Sequence, residues 1–406
     1  MVTGIGVVSP IGIGREQFWQ QLCAGRSGVA PIDSFAVPSD SPRLAAEIRG
    51  FVARDFIRSA HFRRMDKLSR MVVAAGRMAL DDARNAIDGT APDQVAVVVG
   101  SAFGNTAETD RHLERVFTRG PAAASPMIFP NLVLNAPASY VAMELGATGA
   151  NLTVGQGETS AEQAIVLGSE LIRRGRAAVV LAGGGDEFDA LVHNAYRQAR
   201  ALSSQRGGPE WSSPYDLNRN GLVLGEGAAI LVLESASRAR ARGATVYAEV
   251  DDDVIFGVSS PLYGWPRRAQ GALAPLWRVL GVDGLVPCGV DLIVGSANSS
   301  PRLDGCEIDL FARVLGESAA GVRVTSLKGA VGEFGSAGAL NAAAACLALR
   351  EQTVPPLGNL RTPETGVPFR FAGTRGEARE LRRALVYALA RGGAGAAVVF
   401  KQFRDW

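Results

Sequence analysis

Short unbroken apolar runs alternate along the chain with segments of helical spacing. Residues 2–8 read as a strand, closed by the turn Ser9-Pro10-Ile11-Gly12, and residues 17–22 open a short helix. Residues 31–51 carry Pro31, Pro38 and Pro42 and read as loop. Leu68, Met71, Val72, Ala75, Met78 and Ala79 recur at helical spacing, which predicts a helix over 63–86. Residues 94–100 form a continuous apolar run, as in a strand covered on both faces. The loop 100–105 leads into a polar helix over 106–117, and residues 125–138, with Pro126, Pro130 and Pro137, read as loop. Residues 177–185, 228–233 and 396–401 are further strands.

One stretch organises the rest. In Thr153-Val154-Gly155-Gln156-Gly157-Glu158-Thr159-Ser160, a strand end meets a tight glycine loop, and a helix opens on Thr159 or Ser160. Ala161, Ala164, Ile165, Gly168, Leu171 and Ile172 then keep helical spacing. A side chain at such a junction sits near the positive helix end and its unpaired N–H groups. Nucleophiles are often placed there, yet the residue is Glu158, without thiol or hydroxyl.

The second half repeats this grammar. Residues 292–297 answer residues 97–102. Residues 322–325, then Gly332-Glu333, then small residues over 336–346, answer residues 152–165. Both copies set a Gly-Glu pair before an Ala-rich helix. The pattern predicts a duplicated α/β chain of βαβ units with largely parallel sheets. The polar segment after Arg238 places the boundary, giving halves 1–243 and 244–406.

Composition narrows the class. The chain has 406 residues, 47% apolar and 20% charged, enough to bury a sizeable core. A net charge of +2 favours neither a nucleic acid nor an acidic surface as partner. Cys23, Cys288, Cys306 and Cys346 have no metal spacing and read as free thiols in a reducing cytosol. The N-terminus enters a strand pattern with no signal peptide, and residues 340–349 are too short a run to span a bilayer, so a cytoplasmic protein without a membrane is expected.

Taken in order, several motifs resemble the thiolase-fold β-ketoacyl-acyl carrier protein synthases over nearly the whole chain. They are Val2-Thr3-Gly4-Ile5-Gly6-Val7-Val8-Ser9-Pro10, Ala182-Gly183-Gly184, Pro214-Tyr215-Asp216, Gly225-Glu226-Gly227-Ala228, Ser326-Leu327-Lys328-Gly329 and Phe400-Lys401. The resemblance implies a five-layer α-β-α-β-α fold. Condensing members use a Cys at a helix start and two His residues to load the acyl chain and stabilise developing charge. Here the matching positions are Glu158, Ser296 and Glu333. The pattern resembles a chain length factor, the non-condensing partner of a ketosynthase in type II polyketide synthases. Such subunits usually carry Gln at the Cys position, and Glu158 departs from that.

The resemblance further implies an ion pair between Lys328 and Glu307, and Arg391 in the position of an aromatic gate. It places Thr106, Thr109, Leu113, Met127 and Phe129 along an acyl tunnel at a dimer interface, where bulk would set chain length; ordinary interface packing is the alternative. The implied partners are a ketosynthase subunit and acyl carrier protein with its tethered chain. No cofactor and no metal is expected.

The residues themselves leave other readings. Glu158 could be a catalytic carboxylate, or a structural one accepting N–H groups at the helix start. Glu158 and Glu333 together could perform acid/base work as a malonyl-acyl carrier protein decarboxylase or a hydrolase, since paired carboxylates push one pKa up. Lys328, close in sequence, could instead neutralise Glu333. A scaffold-only subunit is the third reading. Ser296 has no His nearby to activate it; His61, His112 and His193 fall in polar helical segments expected at the surface.

Overall fold

The computed structural model describes residues 1–281 and 289–404, so Cys288 lies outside the described residues. Two six-stranded sheets form its frame. The first runs Gly12–Ile13, Val2–Ser9, Gly227–Glu234, Val179–Asp186, Val95–Gly100, Asn151–Val154 from edge to edge. The second runs Glu249–Gly257, Ala394–Lys401, Arg383–Leu389, Leu292–Val294, Arg323–Thr325, Arg370–Phe371.

The two orders match strand for strand across five positions, as a duplication requires. In each sheet the last long strand inserts antiparallel between two others: Gly227–Glu234 in the first and Ala394–Lys401 in the second. The strands beyond it pair in parallel. Both sheets are therefore mixed, where the sequence pattern predicted largely parallel ones. A hairpin explains the second sheet: the tight turn Arg391-Gly392-Gly393 can join only antiparallel neighbours. Apolar runs report burial of both faces, which does hold here, but not strand direction. Every residue of Val2–Ser9, Val179–Asp186 and Gly227–Glu234 is buried.

Two helices fill the space between the sheets, Ser160–Arg173 and Gly338–Glu351. The second is buried from Gly338 through Leu349 and is rich in alanine, so it packs close to both sheets, with Asn341 its one polar side chain in that stretch. Lys67–Asp82 and Ala136–Leu145 cover the outer face of the first sheet. Leu273–Leu280 and Pro301–Leu315 cover the second, where Phe311 meets Tyr387 edge-on at 5.4 Å. The result is the five-layer thiolase-type architecture that the resemblance implied.

Local differences have local causes. The helix expected over 63–86 is Lys67–Asp82, because Asp66 caps it by accepting the Ser69 N–H at 2.7 Å. The loop expected over 31–51 contains Leu44–Ala46, which joins Val29–Pro31 and Leu224–Gly225 in a small sheet. The loop expected over 125–138 gives way to the helix Ala136–Leu145, with Pro137 in its first turn, where a missing N–H costs nothing. Two histidines expected at the surface are buried. His112 lies on the inner face of the helix Thr106–Arg119, and His193 meets the Pro42 carbonyl at 3.0 Å beside Phe35 and Phe188. Cys306 and Cys346 are buried free thiols and Cys23 is half-buried. No helix among the described residues is long and apolar enough to cross a membrane.

Candidate functional site

The strand Asn151–Val154 ends in a turn whose central residues Gly157–Thr159 form one 3₁₀ turn before the helix Ser160–Arg173. The Ser160 hydroxyl seals this turn, accepting the Gln156 N–H at 2.9 Å and donating to the Gly157 carbonyl at 2.7 Å. Glu158 is thereby turned away from its own helix start. Its carboxylate reaches the hairpin of the second sheet instead, where Oε2 accepts the Arg391 backbone N–H at 3.1 Å and Oε1 accepts Arg391 Nε at 2.6 Å. A second guanidinium nitrogen closes the ion pair. Arg391 also lies over the rings of Tyr196, at 4.5 Å, and Trp265, at 4.9 Å, and donates to the Tyr196 hydroxyl. Burial pushes the Tyr196 phenol up, which keeps it neutral beside the guanidinium. The structural reading of Glu158 takes a different form from the expected one: the N–H groups it accepts come from residue 391, across the molecule. Arg391, which the resemblance placed at a gate, is the residue that binds it.

The second Gly-Glu turn is deeper. Gly332 has a φ of +73°, and a Cβ there would meet the Leu224 carbonyl oxygen at 2.6 Å, so glycine is required. Glu333 exchanges backbone hydrogen bonds with Val223 and Gly225, which fixes its side chain in the interior. Lys328 Nζ donates to both Glu333 oxygens, at 3.0 and 2.9 Å, and Asn298 Nδ2 donates to Oε2 at 2.5 Å. Burial drives the Glu333 carboxyl above its ordinary range, against the pull of Lys328. Burial alone would lower Lys328; Glu333 holds it above its ordinary range, with Glu158 and Glu162 adding.

Lys328 thus pairs with Glu333 and not with the expected Glu307. Glu307 is engaged elsewhere. Its Oε1 accepts the Ser296 N–H at 2.9 Å and the Ser296 hydroxyl at 2.8 Å, and its Oε2 accepts the Tyr215 hydroxyl at 2.6 Å and the Ala297 N–H at 3.0 Å. With four donors satisfied locally, Glu307 braces the loop that carries Ser296 and Asn298. The buried Ser296 hydroxyl is committed to that carboxylate.

One participant has no counterpart in the sequence reading. Glu162 follows Glu158 by four residues, one helical turn on, and faces the second central helix. A Cβ at Gly338 would meet its carboxylate at 1.9 Å, so Gly338 leaves the room that Glu162 occupies. One of its oxygens has no hydrogen-bond partner, and burial pushes the carboxyl up to about 7. The signal was available as i, i+4 spacing, but a Glu inside an apolar helix reads as an exposed exception until the second helix is placed. Asn298, Tyr196 and Trp265 were likewise missed, because each is remote in sequence from the residue it serves.

The segment proposed to line a tunnel lies at the surface of this chain. Thr106 and Thr109 are half-buried, and Leu113, Met127 and Phe129 are exposed at 44%, 69% and 62%. Phe103, Phe117, Val133, Met143 and Leu152 are exposed in the same stretch of sequence. Met127, Val133 and Met143 share an apolar hollow of about 450 Å³. Asn151–Val154 is an edge strand of the first sheet with Leu152 exposed, a segment whose backbone groups are open to a further partner.

Comparison with known proteins shows the family and the fold. The model of the beta-ketoacyl synthase N-terminal domain matches residues 1–239, and that of the C-terminal domain matches residues 266–361. A 3-oxoacyl-[acyl-carrier-protein] synthase 2 of Coxiella burnetii is 32% identical over 94% of this chain and 92% of its own length. One from Synechocystis is 29% identical over 100% and 98%. Among solved structures, the ishigamide ketosynthase/chain length factor superposes with a TM-score of 0.90 at 28% identity, covering 99% of this chain and 98% of the other. A type II polyketide synthase acyl carrier protein in complex with its ketosynthase bound to the hexaketide gives 0.89 at 25% identity, with 99% and 98% covered. The chain belongs to the beta-ketoacyl synthase family.

Proposed function

We propose that this chain is a catalytically silent ketosynthase-like subunit, a chain length factor, that heterodimerises in the cytoplasm with an active ketosynthase. Chemistry then occurs at the partner's Cys on chains tethered to acyl carrier protein, while this subunit completes and limits the acyl tunnel. The observation that carries the reading is that the three positions matched by resemblance to the catalytic groups of condensing members are each tied to a separate neighbour. Glu158 is bound by Arg391, Glu333 by Lys328 and Asn298, and Ser296 by Glu307. No thiol stands at the helix start, and each of these three groups already spends its lone pairs or its proton on a neighbour.

The exposed apolar segment from Phe103 to Leu152 supplies the surface for the partner. Within it Thr106, Thr109, Leu113, Met127 and Phe129 set tunnel depth by bulk. A decarboxylase or hydrolase built on Glu158 and Glu333 is the weaker reading, because each carboxylate carries its own cation. Co-expression with a candidate ketosynthase tests the proposal: a stable one-to-one complex is the expected result. Turnover of malonyl-acyl carrier protein by the purified chain alone would contradict it, as would unchanged product length when Thr109→Trp is introduced.

A further inference from the structure

The strand Val179–Asp186 ends in an acidic stretch, Asp186-Glu187-Phe188-Asp189. Its three carboxylates hold the segment that opens the helix Thr106–Arg119. Asp186 Oδ1 accepts the Ser101 hydroxyl at 2.7 Å and the N–H groups of Ala102 and Phe103 at 2.9 and 3.1 Å. Asp189 accepts the Thr106 hydroxyl, and Glu187 Oε1 accepts the Ala107 N–H at 3.1 Å. The helix has little else to keep it in place. His112 is its one buried residue, and it packs mainly against Ala190–Gln198 and its own following turn. Glu187 differs from its two neighbours. It is buried, and among the described residues Ala107 supplies its one hydrogen bond. Asp66 and Lys67, at the start of the helix Lys67–Asp82, face it together with Asp189. Lys67 Nζ is already paired with Glu226 Oε2 at 2.5 Å, and Asp66 has Glu108 beside it.

We propose that this acidic stretch is a proton-operated anchor: with Glu187 neutral the start of the helix Thr106–Arg119 is seated, and loss of that proton releases it. An ionised Glu187 meets two carboxylates and a cation that is already paired, so it must be hydrated, and one of its covers must move to admit water. Lys67–Asp82 has ten buried residues and is fixed by the core. Thr106–Arg119 has one, with Leu113 and Phe117 exposed, so it is the cover that gives. Burial, with Asp66 and Asp189 adding, pushes the Glu187 carboxyl up to about 8, against the pull of the Ala107 N–H and of Lys67. The seated helix therefore keeps a proton that a hydrated Glu187 gives up near its ordinary 4.5. Release is suppressed below about 4.5, grows as pH rises, and levels off above about 8, by on the order of a thousandfold in all. The same helix carries Thr106, Thr109 and Leu113, so under the proposed function the anchor also positions the tunnel segment. That consequence rests on the chain length factor reading; the anchor itself does not.

Hydrogen–deuterium exchange of the full chain without a partner, followed from about pH 5 to about pH 9 and corrected for intrinsic exchange, tests the anchor. Protection of the amides at the start of Thr106–Arg119 is expected to fall as pH rises to about 8 and then to level, while protection of Lys67–Asp82 stays even. Glu187→Gln keeps an acceptor for Ala107 and cannot ionise, so it should hold the helix seated at every pH. Asp66→Asn keeps a side chain able to cap Lys67–Asp82 and removes one of the charges that raise Glu187, so the levelling point should move to lower pH. His112→Asn should leave the dependence in place. Protection that does not change with pH, or a dependence that survives Glu187→Gln, would overturn the anchor. A dependence lost in His112→Asn would also overturn it, assigning the switch to the imidazole. Because the exchange is read without a ketosynthase, failure to assemble with one leaves this result standing.

Discussion

The two Gly-Glu turns stand in equivalent places of the two halves, and they have been put to different uses. Glu333 is sealed in the core: its ion pair with Lys328 has both side chains at 2% exposure or less, and Asn298 takes the remaining donor position. Glu158 stands nearer the surface, and its partner Arg391, with 19% side-chain exposure, also borders an open cleft. The first pair pins one half internally. The second ties the first half to the hairpin of the second half and closes the space between them. Duplicated backbone geometry therefore fixed where each carboxylate sits, while its cation came from whatever element passed nearby, a residue five positions earlier for Glu333 and one 233 positions later for Glu158.

That contrast breaks most sharply at Lys328. Lys328→Ala leaves Glu333 buried without its cation and should cost about 3–5 kcal/mol in urea unfolding. Replacing both partners by apolar residues of similar volume, Lys328→Met with Glu333→Leu, should recover most of that loss. Next comes Glu162, which lies between the two turns. Its ordinary value of 4.5 rises to about 7 in the fold, so the folded state holds a proton that the unfolded chain releases. Its contribution is fully present below about 4.5 and is lost as pH rises from about 4.5 to about 7, on the order of 3 kcal/mol in all. Glu162→Gln should remove that part of the slope in thermal melts across this window. An unchanged slope would mean that Glu162 is not the buried acid described.

Glu158→Ala should cost less than either, about 1–2 kcal/mol, because Arg391 keeps its aromatic faces and can reach water. A loss equal to that of Lys328→Ala would erase the distinction between core pin and clasp. The smallest effect on stability is expected at the surface. Phe129→Asp should change stability little, within about 0.5 kcal/mol, yet weaken assembly with the proposed ketosynthase partner in analytical ultracentrifugation.

Much of this was legible in the chain. The strand runs 94–100, 177–185 and 228–233 fall on real central strands, and the repeat of Gly-Glu before an Ala-rich helix does mark the duplication, because local spacing and burial are written into consecutive residues. Strand direction was not, since an apolar run looks the same either way. The partners of Glu158 and Glu333 divided along the same line. Lys328 beside Glu333 is a short-range pair and was visible as an alternative. Arg391 on Glu158 was not, because a contact spanning the whole fold leaves no periodic trace, and the burial of His193 against Pro42 was hidden for the same reason.

The most direct test of the silent-subunit account is condensation by the purified heterodimer, with the nucleophilic Cys of the ketosynthase intact or replaced by Ala, beside this chain alone. The account predicts polyketide from the intact heterodimer only, and no acyl-enzyme or carbon dioxide release from this chain by itself. Product or decarboxylation that survives loss of the partner's Cys, and disappears with Glu158→Gln or Glu333→Gln, would contradict it.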